Sequence, residues 1–251
     1  MALIWRKQGG IEVLVPDGEA GIVFTSRNGG VSAGAYRWMN LGPFTGDSAE
    51  AVSRNRRIIT DALSIPPQWR WVRQVHGATA AEPAGKQVPD ADALVTTGSS
   101  VLAVFTADCM PIAIKGQSGV AAIHAGWRGL TSGVIESGLS ALRRHDQSDL
   151  RAWIGPSIGP CHYEVGPEVA AAVRTRYPAA PGLAPGRPGR FTLDLRSAAR
   201  WVLEQGGVKT DASAPPCTYC DERFFSHRRE NPTGRQAVLV WRPHPSKENA
   251  R

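Results

Sequence analysis

The stretch 101-VLAVFTADCMPIAIKGQSGVAAIHAGWRGL-130 decides how the chain folds. VLAVF and CMPIAI together predict one buried strand interrupted by Thr106 and Asp108, and VAAIHA, four residues after Lys115, predicts a second. Cys109 and His124 therefore fall on neighbouring strands, placed by rigid backbone. The chain then turns through Ala125, Gly126, Trp127, Arg128 and Gly129 into TSGVIESGLSALRRH, where Val134, Ile135, Leu139 and Leu142 recur at helical spacing. A strand ending in a Gly-flanked turn at a helix start offers free backbone N–H groups and the positive end of the helix dipole to an anion. Arg128 stands at that seat. Taken singly, each of these residues has an ordinary structural explanation as well, since free cysteine is among the most buried residue types.

On the N-terminal side, IEVLVPDGEAGIVFTS predicts two short strands joined by Pro16-Asp17-Gly18. They deliver Ser26 and Arg27 to a Gly-rich loop, RNGGVSAGAYRWMNLG, whose Trp38 and Met39 are suited to a pocket rim or an interface. SAEAVSRNRRIITDALSI predicts an amphipathic helix with Val52, Ile58, Ile59 and Leu63 inward, ended by Pro66 and Pro67. WRWVRQVHGATAAE predicts a strand with Gln74 and His76 on one face, and ADALVTT a shorter one.

On the C-terminal side, LRAWIGPSIGPCHYEVGPEVAAAVRTRY predicts a strand, a Gly/Pro-rich turn with Cys161 and His162, and a helix from Pro167. Side chains of adjacent strand residues point apart, which argues against Cys161 and His162 sharing one ion. Residues 178–190, PAAPGLAPGRPGR, predict a flexible loop, FTLDLRSAARWVLEQGG a strand then a helix, and 243–251 a disordered tail. Cys217 and Cys220 form one CxxC without a second pair, a weak metal signature. FFSHRRENPTGRQAVLVW carries Ser226, His227, Arg228 and Arg229 on a loop before a closing strand. With no repeat and no domain boundary, the pattern predicts one α/β domain over 1–251, a mixed β-sheet core flanked by helices.

The composition narrows the function classes. A chain of 251 residues, 42% hydrophobic and 20% charged, buries a core without staples. Its 29 Lys and Arg against 22 Asp and Glu form no long basic run. The excess fits an anionic small-molecule substrate, and no nucleic-acid partner is expected. Four cysteines are no disulfide framework, which implies a reducing compartment. MALIWRKQGG lacks a signal-peptide core and nothing approaches eighteen uninterrupted apolar residues, so the expectation is a cytoplasmic, monomeric protein that does not span a membrane.

The chemistry turns on whether His76, Cys109 and His124 meet. Two imidazoles and a thiolate suit a catalytic zinc, whose fourth position holds a water acidified toward a pKa of ~7. The same atoms allow a metal-free reading in which His124 deprotonates Cys109 for acyl transfer. Residue types alone leave both open.

RQVHG at 73–77, DADALVT at 90–96, TADCMPI at 106–112, HAGWRG at 124–129, IGPSIGPCHYEVG at 154–166, and CTYC with FFSHRRENPTGRQ at 217–236 together resemble the laccase-domain family. This is also called the multicopper polyphenol oxidase or YfiH-like family and includes peptidoglycan editing factors. The resemblance runs from about residue 20 to Trp241. It implies an α/β/α-layered domain related to toxin deamidases and a zinc site on His76, Cys109 and His124, with copper as the alternative metal. It also implies purine nucleoside phosphorylase activity on adenosine, inosine and 5′-methylthioadenosine, adenosine deaminase activity, and a polyphenol-oxidase activity. His162 departs from the family pattern, which has a smaller residue or a second Cys there.

Phosphorolysis holds phosphate against C1′ of the ribosyl group while the purine leaves, which calls for cationic donors on the anion. Arg128, helped by Arg27, is the expected clamp, with Gln74 a further substrate contact and Asp108 or Glu164 a proton shuttle. Two competing readings remain: a Cys109–His124 amidase acting on a peptidoglycan precursor, and a copper oxidase of phenols. The oxidase is chemically weaker, because six histidines are few for a four-copper enzyme.

Overall fold

The computed structural model describes residues 2–83, 85, 87–211 and 213–243. In chain order, β1 (Leu3–Gln8), β2 (Ile11–Pro16) and β3 (Ile22–Thr25) precede α1 (Ala49–Leu63), β4 (Trp69–Arg70), β5 (Ala80–Ala81) and β6 (Ala93–Thr96). Next come β7 (Val101–Thr106), β8 (Met110–Lys115), β9 (Val120–Ala125), α2 (Trp127–Ser132) and α3 (Val134–Arg143). The chain continues through β10 (Arg151–Ile154), β11 (Glu164–Val165), α4 (Pro167–Arg176), β12 (Leu183–Pro185) and β13 (Phe191–Leu193). It closes with α5 (Leu195–Gln205), β14 (Lys209–Thr210) and β15 (Gln236–Val240).

The expected α/β class with mixed sheets flanked by helices holds, but twelve of the strands divide between two six-stranded sheets. One runs β1-β2-β3-β15-β7-β4 and the other β14-β10-β8-β9-β6-β5. The segment 101–115 is therefore not one interrupted strand. β7 pairs with β15 in the first sheet and β8 with β9 and β10 in the second. The crossing falls at Asp108, whose φ of 90° lies in the left-handed region that a strand cannot accommodate.

Apolar residues on both faces of β7, β8 and β9 are explained by this division. Leu102, Val104, Ala113, Ala122, Trp153 and Val238 pack between the sheets. Ile112, Ile123, Ile135 and Leu142 pack the second sheet against the helices, and Val101, Ala103, Ile59 and Leu239 pack the first against α1. Burial of each large apolar side chain contributes roughly 1.5–3 kcal/mol, so strands covered on both sides are the most firmly held part of the chain. The site residues are mounted at their ends.

Three other expectations change. The predicted strand over 69–82 survives only as β4 and β5, and His76 between them has a φ of 59°. Residues 178–190 are not all loop: β12 pairs antiparallel with β13 in a three-stranded sheet with β11. Met39 is fully buried in the core beneath α1, while its neighbour Trp38 is exposed. Of the tail 243–251, residues 244–251 lie outside the described residues. No helix among the described residues is long and apolar enough to cross a membrane.

Candidate active site and second ligand cluster

The crossing at Asp108 sets Cys109 at the head of β8, and the register Pro111↔His124 brings His124 on β9 alongside. His76 arrives on the turn between β4 and β5. The ligand atoms of His76, Cys109 and His124 lie within 4.8 Å of one another, a set able to hold a metal ion. Cys109 Sγ is 3.8 Å from His76 Nε2, and the two imidazoles meet edge to face at 4.8 Å. Gly126 makes the approach possible, since a Cβ there would stand 3.0 Å from Cys109 Sγ and 3.3 Å from His76 Cδ2.

Asp92, hidden at the start of β6, organises the trio. Its carboxylate accepts His124 Nδ1–H at 2.8 Å and the backbone N–H groups of Val75, His76 and Gly77. The bond to Nδ1 leaves Nε2 of His124 as the metal-facing nitrogen. Burial works against ionisation of this network, but the hydrogen bonds from His124 and the turn hold Asp92 below the usual carboxylate range. Burial also pushes the Cys109 thiol up, and His124 and His76 more than reverse it, so the thiol is easily deprotonated. His124 is raised in turn, its burial outweighed by Cys109 and Asp92.

The trio lines a cavity of about 470 Å³. Gln74, Asp108, Tyr163, His227, Arg228 and Arg235 also line it. Gln74 is engaged with the backbone: its amide donates to Phe105 O (2.8 Å) and its oxygen accepts Phe105 N–H (2.9 Å). Asp108 accepts Thr218 Oγ1–H on one oxygen (2.7 Å) and Arg228 N–H on the other (2.6 Å), a bracing role between loops. Burial pushes the Tyr163 hydroxyl well above its ordinary range, so it stays protonated.

Two expected anion ligands stand elsewhere. Arg27 is buried, donating to Glu230 at 2.6 Å and Arg37 O at 3.0 Å over the Phe225 ring, because its β3 end points into the core. Arg128 is exposed and lies 4.4 Å over Trp127, outside the residues that wall the cavity, though its charge reaches Tyr163. Arg228 and Arg235 are the cavity's guanidinium groups. Glu164 is tied to Arg187 at 2.6 Å, away from the trio.

A second set of ligand atoms, on Cys161, His162, Cys217 and Cys220, also lies within 4.8 Å. The expectation that Cys161 and His162 diverge fails because residues 160–162 form a turn, where strand alternation does not apply. The lone CxxC acquires its second pair from that turn. Spacing gave no signal, as Cys217 lies 55 positions after His162.

Residues 21–243 match the family described as multi-copper polyphenol oxidoreductase laccase. The chain is 41% identical over 223 residues to a purine nucleoside phosphorylase of Pseudomonas aeruginosa, covering 86% of this chain and 91% of that one. It is 38% identical over 224 residues to the purine nucleoside phosphorylase YfiH of Escherichia coli, with the same coverage. Among solved structures it resembles YlmD from Geobacillus stearothermophilus with a TM-score of 0.86 and 30% identity, over 96% of this chain and 100% of that one. The Neisseria meningitidis protein NMB0706 is similar at a TM-score of 0.83 and 34% identity, over 96% and 99%.

Proposed function

Because this chain belongs to the multi-copper polyphenol oxidoreductase laccase family, we propose that it is a zinc-dependent purine nucleoside phosphorylase acting on adenosine, inosine and 5′-methylthioadenosine, with adenosine deaminase activity beside it. The observation that carries this reading is the convergence of His76, Cys109 and His124 on one wall of a cavity that also presents Arg228 and Arg235. Relatives matching over most of their length are named purine nucleoside phosphorylases, which supports the reading.

The donor set fits zinc. Two imidazoles and a readily deprotonated thiol leave one tetrahedral position open, and Asp92 supplies the outer hydrogen bond that fixes a ligating histidine. Bound there, zinc would supply a Lewis acid and a water acidified toward a pKa of ~7, the nucleophile that deamination at C6 requires. Arg228 and Arg235 hold the phosphate, taking the place expected of Arg27 and Arg128. Tyr163, protonated at neutral pH, offers a hydrogen bond to substrate, and Phe105 and Phe44 give apolar surface for a purine. A cavity of about 470 Å³ is of the size small-molecule sites commonly have.

One observation favours a second reading, amide hydrolysis by a Cys109 thiolate: the thiol is depressed by His124. Copper oxidation of phenols is less well supported, since the ligand clusters among the described residues offer three histidines, His76, His124 and His162. Incubating the protein with inosine and adenosine, with and without phosphate and before and after chelation, separates these. Phosphate-dependent release of free base that chelation abolishes supports the phosphorylase; cleavage of an amide-bearing peptidoglycan precursor, supplied in place of the nucleosides, that survives chelation but not thiol alkylation supports the amidase.

A further inference from the structure

Three thiols and an imidazole from two loops converge outside the cavity trio. Cys161 Sγ lies 3.6 Å from Cys220 Sγ, and Cys220 Sγ lies 3.2 Å from His162 Nδ1. Tetrahedral zinc, with bonds of ~2.3 Å to sulfur and ~2.0–2.1 Å to nitrogen, places neighbouring ligand atoms roughly 3.5–3.8 Å apart. We propose that Cys161, His162, Cys217 and Cys220 form a second, structural zinc site, closed by four protein ligands and distinct from the trio. A disulfide between Cys161 and Cys220 would use two of the four groups and leave Cys217 and His162 converging on nothing.

The surroundings hold these side chains in place as a built site does. Gly159 N–H donates to Cys217 Sγ at 3.1 Å. A Cβ on Gly159 would come within 3.3 Å of Cys217 Cβ and 3.4 Å of Cys161 Sγ, so the glycine lets the two loops close. The His162 ring stacks on Tyr219 at 4.0 Å and 17°, which sets the edge it presents. Arg229 donates to the carbonyls of Thr218 and Tyr219 at 2.6 and 2.9 Å, and Thr218 N–H donates to Ser157 O at 3.1 Å, pinning the CxxC turn to the other loop. Oriented ligands with hydrogen-bonded surroundings are what a metal site requires beyond its donors.

The site has a consequence for the cavity. Thr218, between the paired cysteines, donates through Oγ1 to Asp108, the neighbour of Cys109, and Arg228 donates to His162 O at 3.3 Å as well as lining the cavity. A zinc joining the two loops fixes the floor on which Asp108 and Arg228 stand. Cys161, His162, Cys217 and Cys220 are in this sense positioning residues, with no contact to substrate.

The test is zinc content per chain by mass spectrometry on the full-length protein, with cobalt substitution as an independent readout. Wild type is expected to hold near two equivalents, and Cys161→Ser and Cys220→Ser each to halve that. The His76→Ala/Cys109→Ala double variant should keep one equivalent and, loaded with cobalt, show the charge-transfer absorption of several thiolates. That spectrum reads the site without touching its ligands, so a serine variant that misfolds does not blunt the test. Should the trio hold no zinc, wild type shows one equivalent that is lost with Cys220, so the two sites fail separately. A folded double variant that binds no metal, or zinc content unchanged in Cys220→Ser, overturns the proposal, as does a Cys161–Cys220 disulfide in protein kept under reductant.

Discussion

His124 is locked to Asp92 by a 2.8 Å hydrogen bond between Nδ1 and Oδ1, with both side chains buried. That bond decides which imidazole nitrogen faces Cys109. Asp92→Asn keeps the shape and removes the charge, and losses of 10–100-fold in metal affinity are typical for such a change. Competition with a chelator measures it, and unchanged affinity would show that Asp92 does not set the ligand.

Gly126→Ala isolates the steric requirement of the trio. The φ of −76° at Gly126 suits alanine, so the cost is the clash with Cys109 Sγ and His76 Cδ2. Overpacking of this kind costs about 1–3 kcal/mol. Metal content should fall more than thermal stability does; an alanine variant with full metal and activity would contradict the close approach.

The arginines divide by role. Arg235→Gln and Arg228→Gln should raise the KM for phosphate about ten-fold or more, equivalent to ~1.4 kcal/mol or more of binding. Arg27→Gln should instead lower stability by about 1–3 kcal/mol, because the buried guanidinium's bonds to Glu230 and Arg37 O are lost, while partly exposed Glu230 keeps Arg229. A phosphate KM that responds to Arg27 alone in a fully stable variant would reverse the assignment.

Acid stability has a specific contributor in Asp146. Burial would raise this carboxyl, but Ser148 and the N–H groups of Ser118 and Gly119 outweigh it and hold it at about 2, below its ordinary 3.8. A carboxylate depressed on folding adds stability that is complete above its unfolded pKa and is lost as pH falls through the folded one. Asp146→Asn should therefore lower stability at pH 7 by about 1–3 kcal/mol. The gap to wild type should narrow between pH 4 and pH 2 in denaturant titrations; a gap independent of pH would remove Asp146 from the account.

Cys109 and His124 were legible in the sequence because they lie on the apolar runs that become β8 and β9, whereas His76 was placed on a strand and stands instead on the turn between β4 and β5. Helix α2, Trp127–Ser132, read as part of a turn and is cut off from α3 by Gly133 at a φ of 91°, whereas α3 was legible because Val134, Ile135, Leu139 and Leu142 repeat at 3.6 residues and line it. The division into two sheets was not, since it depends on one residue, Asp108, taking a left-handed backbone that no apolar pattern records. Nothing in the sequence marked Asp92, inside the predicted strand ADALVTT, because its partners come from another turn and from β9. Arg27 misled for a related reason, as its ion pair with Glu230 joins opposite ends of the chain. Cys161 and His162 were judged by strand alternation where the chain makes a turn.

The most direct test of the proposed function follows phosphate into product. Inosine and inorganic phosphate are incubated with wild type and with Cys109→Ala of known zinc content, and ribose 1-phosphate is followed by phosphorus NMR. The account predicts ribose 1-phosphate and free hypoxanthine in equal amounts from the zinc-bearing wild type, and neither from Cys109→Ala. Metal-loaded, folded wild type that yields no sugar phosphate, or a Cys109→Ala variant that yields it at the full rate, would contradict it.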